Sequence, residues 1–199
     1  MRFALIVAIA VGLAGCRATP TSTGGKAVAE KPSEPPAVTQ PEVLPDREGE
    51  KPQVVLDTEK GEITLELDPA AAPLTVANFL ELVESGFYNG MPFHRVEPGF
   101  VIQAGDPKFA ADPSVSRSLA DETSPIKHLR GVIAMARLFG PEGMIPNSAG
   151  TQFYICLGDA PHLDAMGFTA FGKVVKGIEV IDQIAVGDKI RSANVLPAG

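Results

Sequence analysis

Phe93-His94-Arg95-Val96-Glu97-Pro98-Gly99-Phe100-Val101-Ile102-Gln103-Ala104-Gly105-Asp106 sets an Arg and a Gln among apolar residues and then breaks off at Gly-Asp-Pro. Two short β-type runs, 93–96 and 100–104, flank the Pro98-Gly99 turn, so the stretch reads as a hairpin. Alternation sends successive side chains to opposite faces, which makes Arg95 and Gln103 the informative positions. In an arbitrary hairpin they would be a surface cation and a solvated strand residue. The rest of the chain argues for a binding site.

Upstream, 53–58 and 62–67 are strand candidates around Glu59-Lys60-Gly61, and Ile63, Leu65 and Leu67 alternate with polar residues, as in a half-buried hairpin. After Pro73, the apolar residues Val76, Phe79, Leu80 and Val83 fall at i, i+3, i+4 and i+7, with Glu81 and Glu84 outside and Gly86 as a stop. That pattern predicts one amphipathic helix of about eleven residues packed over a barrel mouth. Downstream, 131–136, 152–157, 168–175 and 190–196 are short, mostly apolar and bounded by turn residues, so they read as strands. The span 177–184, with Ile178, Ile181 and Ile184 near one side, reads as a second short helix. Many short strands with two helices predict a mainly β fold, a closed antiparallel barrel capped at its ends.

Composition bounds the function. The chain has 199 residues, 45% of them hydrophobic, enough for one domain with appendages. Lys and Arg number 17 against 24 Asp and Glu, and residues 1–52 carry six of each sign, so the net charge of −7 belongs to the part after residue 52. Without a basic run or patch, nucleic-acid binding is not expected. His94, His128 and His162 lie far apart and lack the spacing of a zinc site, so neither a metal nor a cofactor is expected. There is no Gly-x-Ser-x-Gly elbow and no Gly-x-x-x-x-Gly-Lys loop, and Cys156 sits mid-strand among apolar neighbours, where a thiol is usually inert.

The first residues read as a leader. Arg2 precedes an apolar run at 3–13, too short to span a bilayer, and Leu13-Ala14-Gly15-Cys16 follows. This ending resembles the lipobox of bacterial lipoproteins, which implies a signal peptide at 1–15 and acylation of Cys16. Residues 16–52 then form a Pro-rich tether: Pro20, Pro32, Pro35, Pro36, Pro41, Pro45 and Pro52 stand among Thr, Ser, Gly, Glu and Lys. Such a segment cannot bury enough apolar area to offset chain entropy and is expected to stay disordered. The folded domain is expected at 53–199, in the bacterial envelope, lipid-anchored and on the extracytoplasmic side. With Cys16 acylated, Cys156 has no partner for a disulfide.

The opening stretch, Gly131-Val132-Ile133-Ala134-Met135-Ala136-Arg137, Asn147-Ser148-Ala149-Gly150-Thr151-Gln152-Phe153-Tyr154-Ile155 and Phe171-Gly172-Lys173-Val174 resemble, in order, the signatures of cyclophilin-type peptidyl-prolyl cis-trans isomerases. The resemblance runs from about residue 54 to 184. It implies a closed eight-stranded antiparallel β-barrel with two capping helices, a substrate containing an X-Pro bond, and proline-containing unfolded or exported polypeptides as partners of a monomeric folding catalyst. It implies that Arg95 is the catalytic guanidinium and Gln103 a polar substrate contact. Phe100, Val101, Tyr154, Leu163 and Phe168 would form the proline pocket. Ala136 would line the groove for preceding residues, with Arg137 as a nearby polar contact.

This sequence departs from the family pattern at four places. Tyr154 stands where many relatives have Phe, and its hydroxyl needs a partner. His162 replaces the Trp of relatives that bind cyclosporin tightly, so weak binding of that ligand is expected. A different loop follows Asp106, and 138–145 reads as an insertion that reshapes the groove rim. The alternative to an enzyme is a membrane-tethered proline-peptide binding module or holdase without turnover. Because several acyl chains at ~0.8 kcal/mol per buried methylene hold a protein firmly on a bilayer, Cys16→Ser is expected to move the protein from the membrane to the soluble fraction. Unchanged membrane association on fractionation would refute the anchor.

Overall fold

The structure is a computed structural model describing residues 51–197. The leader, Cys16 and the tether as far as residue 50 lie outside the described residues. In chain order the elements are β1 (Gln53–Thr58), β2 (Gly61–Leu67), α1 (Pro73–Glu84), β3 (Arg95–Glu97), β4 (Val101–Ala104), β5 (Val132–Met135), β6 (Phe139–Gly140), β7 (Gly143–Met144), β8 (Phe153–Cys156), α2 (Pro161–Ala165), β9 (Ala170–Lys176) and β10 (Ile190–Val195). Eight strands form one curled antiparallel sheet in the order β10-β1-β2-β9-β5-β8-β4-β3, a half-barrel, while β6 and β7 pair only with each other.

The closed barrel predicted from the sequence is not what the strand ladder shows: β3 and β10 are edges and do not pair. Between them lies the segment 90–93, which meets 187–190 through a few backbone bonds. Gly90 N–H donates to the Ile190 carbonyl at 2.7 Å and Phe93 N–H to that of Asp188 at 2.9 Å. One isolated bridge, Pro92 to Lys189, sits among them. Ile190 N–H donates to the Met91 carbonyl and Phe93 N–H to that of Asp188 on either side of it, so Pro92 stands at a non-hydrogen-bonded pair whose N–H side faces away, a place that proline tolerates.

Side-chain alternation builds the core. Val54 and Leu56 of β1 and Ile63, Leu65 and Leu67 of β2 point inward, with no exposed surface, to meet Ile102, Ile133, Phe153, Ile155 and Phe171. The predicted apolar stripe of α1 closes this core: Phe79 packs on Tyr88, Phe153 and Phe171 with ring centroids 5.2–5.5 Å apart. Pro73 opens α1, where its missing N–H costs nothing. The N-cap, Ala72, offers no acceptor, so the helix end is capped from afar. The Glu122 carboxylate accepts from Leu74 N–H at 2.9 Å, Thr75 N–H at 2.7 Å and the Thr75 hydroxyl at 2.6 Å.

The second helix differs from the sequence reading. At 177–184 there is only a 3-10 turn, Ile181–Gln183, because Ile181 and Ile184 anchor the segment to the core while Ile178 stays partly exposed. The second α-helix is instead α2, five residues opened by Pro161 and burying only Leu163. The expected strands are otherwise found with their ends moved by a residue or two.

Gly105, directly after β4, has φ +88°, and a Cβ there would lie 2.3 Å from the Thr151 carbonyl oxygen. That oxygen also accepts the buried Tyr88 hydroxyl at 3.0 Å. Gly105→Ala is therefore expected to destabilise the domain by about 2 kcal/mol or more, combining left-handed backbone strain with overpacking. Urea denaturation measures it; a change below about 0.5 kcal/mol would show that the strand end relaxes freely.

Candidate active site

One cross-strand row positions the polar residues of the opening stretch. Arg95 of β3 stands opposite Gln103 of β4, Gln103 opposite Tyr154 of β8, and Tyr154 opposite Ala134 of β5. Directly opposed residues share a face, so these four project from the side of the sheet away from the main core. Along the same strands Val101, Val132 and Cys156 project that way too, and with Tyr154, Ala160, Leu163 and Ala170 they form a second, smaller apolar cluster.

Above this cluster opens a cavity of about 410 Å³ lined by Arg95, Phe100, Val101, Gln103, Ala136, Arg137, Tyr154, Leu163 and Phe168, together with Phe139, His162 and Met166. The structure thus brings together all nine site residues named from the sequence. Phe100 stacks on His162 at 5.4 Å between centroids, and Tyr154 meets Phe168 edge-on at 5.9 Å. The walls are apolar on three sides.

Arg95 forms the polar side. Its Nη1 donates to Gln103 Oε1 at 2.9 Å, and its Nε and Nη2 reach Glu97 Oε1 at 2.8 and 2.7 Å. The guanidinium lies 5.8 Å from the centroid of Phe100. Of five guanidinium N–H groups, three are engaged, leaving one on each Nη. Gln103 in turn donates to Gln152 Oε1 at 2.8 Å, keeping one N–H of its own. The Arg95 and Glu97 side chains are about half exposed, so their ion pair adds little to stability. Its effect is to fix the direction of the guanidinium.

The hydroxyl of Tyr154 finds its partner beneath the cavity. Asp164 Oδ1 accepts from the His128 backbone N–H at 3.0 Å and from its Nδ1 at 2.7 Å, so Nε2 is left to accept from the Tyr154 hydroxyl at 3.0 Å. His128 is 1% exposed. Burial holds the Tyr154 hydroxyl far above the ordinary phenol range, so it stays protonated and donates. The His128 hydrogen bond lowers the Asp164 carboxyl below its usual 3.8. Burial likewise pushes the Cys156 thiol up to about 12, which removes it as a nucleophile.

A second cavity of about 140 Å³ adjoins the first and shares Ala136 and Arg137 with it; Arg117, Leu138 and Gln152 also line it. The Arg137 charge is engaged by Asp121, with Nη2 2.6 Å from Oδ2. The sequence reading assigned no role to Gln152, Phe139 or Met166, and took His128 only as a histidine too isolated to bind metal. The buried hydroxyl that Tyr154 introduces was the available signal for His128.

The Tyr154 to His128 bond predicts a coupling of about 1 kcal/mol between Tyr154→Phe and His128→Ala in a double-mutant cycle read by urea denaturation. Zero coupling would discard the bond. Because the Asp164 pKa is lowered on folding, its stabilisation is complete above pH 3.8 and fades as pH falls through the lowered value. The stability gap between wild type and Asp164→Asn should narrow in the same window.

Residues 53–197 match the family described as cyclophilin type peptidyl-prolyl cis-trans isomerase/CLD. Among curated proteins, peptidyl-prolyl cis-trans isomerase A of Dickeya dadantii is 42% identical over 152 residues, covering 72% of this chain and 75% of the relative. A peptidyl-prolyl cis-trans isomerase of Helicobacter pylori is 41% identical over 147 residues, covering 72% and 86%. Among solved structures, a cyclophilin type peptidyl-prolyl cis-trans isomerase of Cryptosporidium parvum, in the presence of the dipeptide Ala-Pro, superposes with a TM-score of 0.61. It has 27% identity and covers 73% of this chain and 99% of that one. With its half-barrel, its row from Arg95 to Tyr154 and this match over nearly all its described residues, the chain belongs to the cyclophilin-type peptidyl-prolyl cis-trans isomerase family.

Proposed function

We propose that the chain accelerates rotation about X-Pro peptide bonds of envelope polypeptides by stabilising the twisted amide without covalent chemistry. The observation that carries this is the Arg95 guanidinium, held by Glu97 and Gln103 beside an apolar slot with one N–H free on each Nη. The presence of Ala-Pro in the Cryptosporidium relative's structure is in keeping with a prolyl ring in that slot.

Amide resonance sets a rotation barrier of about 18–20 kcal/mol. In either planar isomer the prolyl nitrogen lone pair is conjugated and accepts no hydrogen bond. When the bond twists, the lone pair leaves conjugation, and a donor placed beside it binds the transition state selectively. Arg95 is that donor. A charge-assisted hydrogen bond contributes roughly 1.5–3 kcal/mol, and each ~1.4 kcal/mol is tenfold in rate, so Arg95 accounts for about ten- to a few hundredfold.

The pocket supplies the remainder. Phe100, Val101, Tyr154, Leu163 and Phe168 seat the proline ring and keep water from the amide, which becomes less polar as it twists. The free N–H of Gln103 orients the preceding carbonyl, and Ala136 leaves room for the chain before the proline. A lipid anchor at Cys16 and the tether would hold this monomeric domain at a membrane, facing exported chains.

Arg95→Ala is expected to lower kcat/KM for an X-Pro peptide by ten- to a few hundredfold while leaving the urea midpoint nearly unchanged. Protease-free NMR exchange on wild type and variant measures both binding and flipping. Near-normal flipping in the variant would remove Arg95 from its role, whereas tight peptide binding with no flipping in wild type would favour the binding-module reading.

A further inference from the structure

The segment 138–145, which the sequence reading takes as an insertion, folds into the hairpin β6-β7. Phe139 pairs with Met144 and Gly140 with Gly143. A stalk of hydrogen bonds holds its base: Ile145 N–H donates to the Leu138 carbonyl at 2.8 Å, Leu138 N–H to Ser148 Oγ at 3.0 Å, and the Ser148 hydroxyl to the Ile145 carbonyl at 2.6 Å. By alternation the two residues that leave the stalk face different ways. Leu138 lines the smaller cavity and Phe139 the larger one.

Phe139 is 61% exposed, yet one side of its ring already faces Phe168, 6.5 Å away between centroids. Met166, also partly exposed, lines the same cavity. An aromatic fixed on a hydrogen-bonded stalk, with apolar neighbours on one side and open space on the other, is built for contact with an apolar group. Both guanidiniums lining the cavity have a carboxylate partner of their own, Arg95 with Glu97 and Arg137 with Asp121.

We infer that Phe139 and Met166 form a subsite for a large apolar side chain immediately beside the proline of the substrate. The occupant follows from continuity: the cavity holding Arg95 and the proline slot is the same cavity that these two residues border. A polypeptide whose proline sits in the slot carries its neighbouring residue past the hairpin. The inference rests on the reading of this groove as an X-Pro site and adds a substrate class to it, prolines flanked by aromatic or large aliphatic residues.

The test uses the full chain and tetrapeptides in which the residue before or after proline is either Ala or Phe, with NMR titration for Kd and exchange spectroscopy for flipping. At one of the two positions wild type is expected to bind the Phe peptide about tenfold more tightly than the Ala peptide, the discrimination a modest apolar contact provides. Phe139→Ala should collapse that ratio to near one, and Phe139→Leu should restore part of it. Equal binding of both peptides by wild type, or a ratio indifferent to Phe139→Ala, would overturn the subsite. Self-association that disappears in Phe139→Ala, with no peptide preference, would overturn it in favour of a second copy on the rim. Preference in binding without flipping would keep the subsite and discard the isomerase reading; flipping without preference would do the reverse.

Discussion

The structure depends on the burial of β4, β5 and β8 on both faces. A strand's side chains alternate, so a sheet covered on one side only leaves every second residue to water. Here Ile102, Ile133, Phe153 and Ile155 enter the main core, while Val101, Ala134, Tyr154 and Cys156, which alternate with them, belong to the second cluster, from which Val101 and Tyr154 reach the cavity. A one-residue slip would exchange the two sets, sending Arg95 and Gln103 into a dry core. The register that excludes this error is the register that aligns Arg95, Gln103 and Tyr154. Folding and site assembly are one constraint.

The site's polar groups show two ways of holding a side chain still. Arg95 is partly exposed, and its contacts with Glu97 and Gln103 restrain direction more than they stabilise the fold. Tyr154 is buried, so its hydroxyl would cost about 1–3 kcal/mol unpaired, and the Asp164 to His128 chain satisfies it. The same chain ties α2 to the cavity floor through the His128 backbone N–H. It therefore also positions Leu163 and His162, which form one wall. A half-exposed guanidinium held in direction and a buried hydroxyl locked from below are complementary: the first keeps N–H groups free at the cavity, the second is fully satisfied.

What the sequence made legible was whatever repeats along the chain. Ile63, Leu65 and Leu67 announced a strand, and Val76, Phe79, Leu80 and Val83 a helix, because each pattern recurs several times within one element. At 177–184 three isoleucines suggested a helix, but those anchoring the core are Ile181 and Ile184, and so short a spacing fits a single tight turn as well. With five residues and one buried side chain, α2 has no periodicity to read. Whether the sheet's edges meet depends on 90–93 and 187–190, which touch through a few backbone bonds and one isolated bridge and carry no repeating pattern to read. Seven of the nine site residues lie in the ordered motifs and Leu163 and Phe168 between two of them, whereas His128 and Asp164, 26 and 10 positions from Tyr154, share nothing local with it.

The hairpin β6-β7 borders the cavity without taking part in the ladder that holds its centre. It joins the chain between Arg137 and Asn147, outside the eight-stranded ladder, so its length does not alter the register that sets Arg95 and Gln103. Its anchorage is local: Asp121 accepts from the Arg137 guanidinium at 2.6 Å and from Asn147 N–H at 3.1 Å, pinning both ends of the hairpin segment at one carboxylate. A loop closed at its base changes little in entropy as it lengthens. Residues at its tip can therefore vary at small cost to the fold, while Phe139 borders the cavity that Arg95 and Tyr154 also line. In this molecule the row of strands holds Arg95, Gln103 and Tyr154 in register, and the hairpin rim lies outside that row, free to differ without moving it.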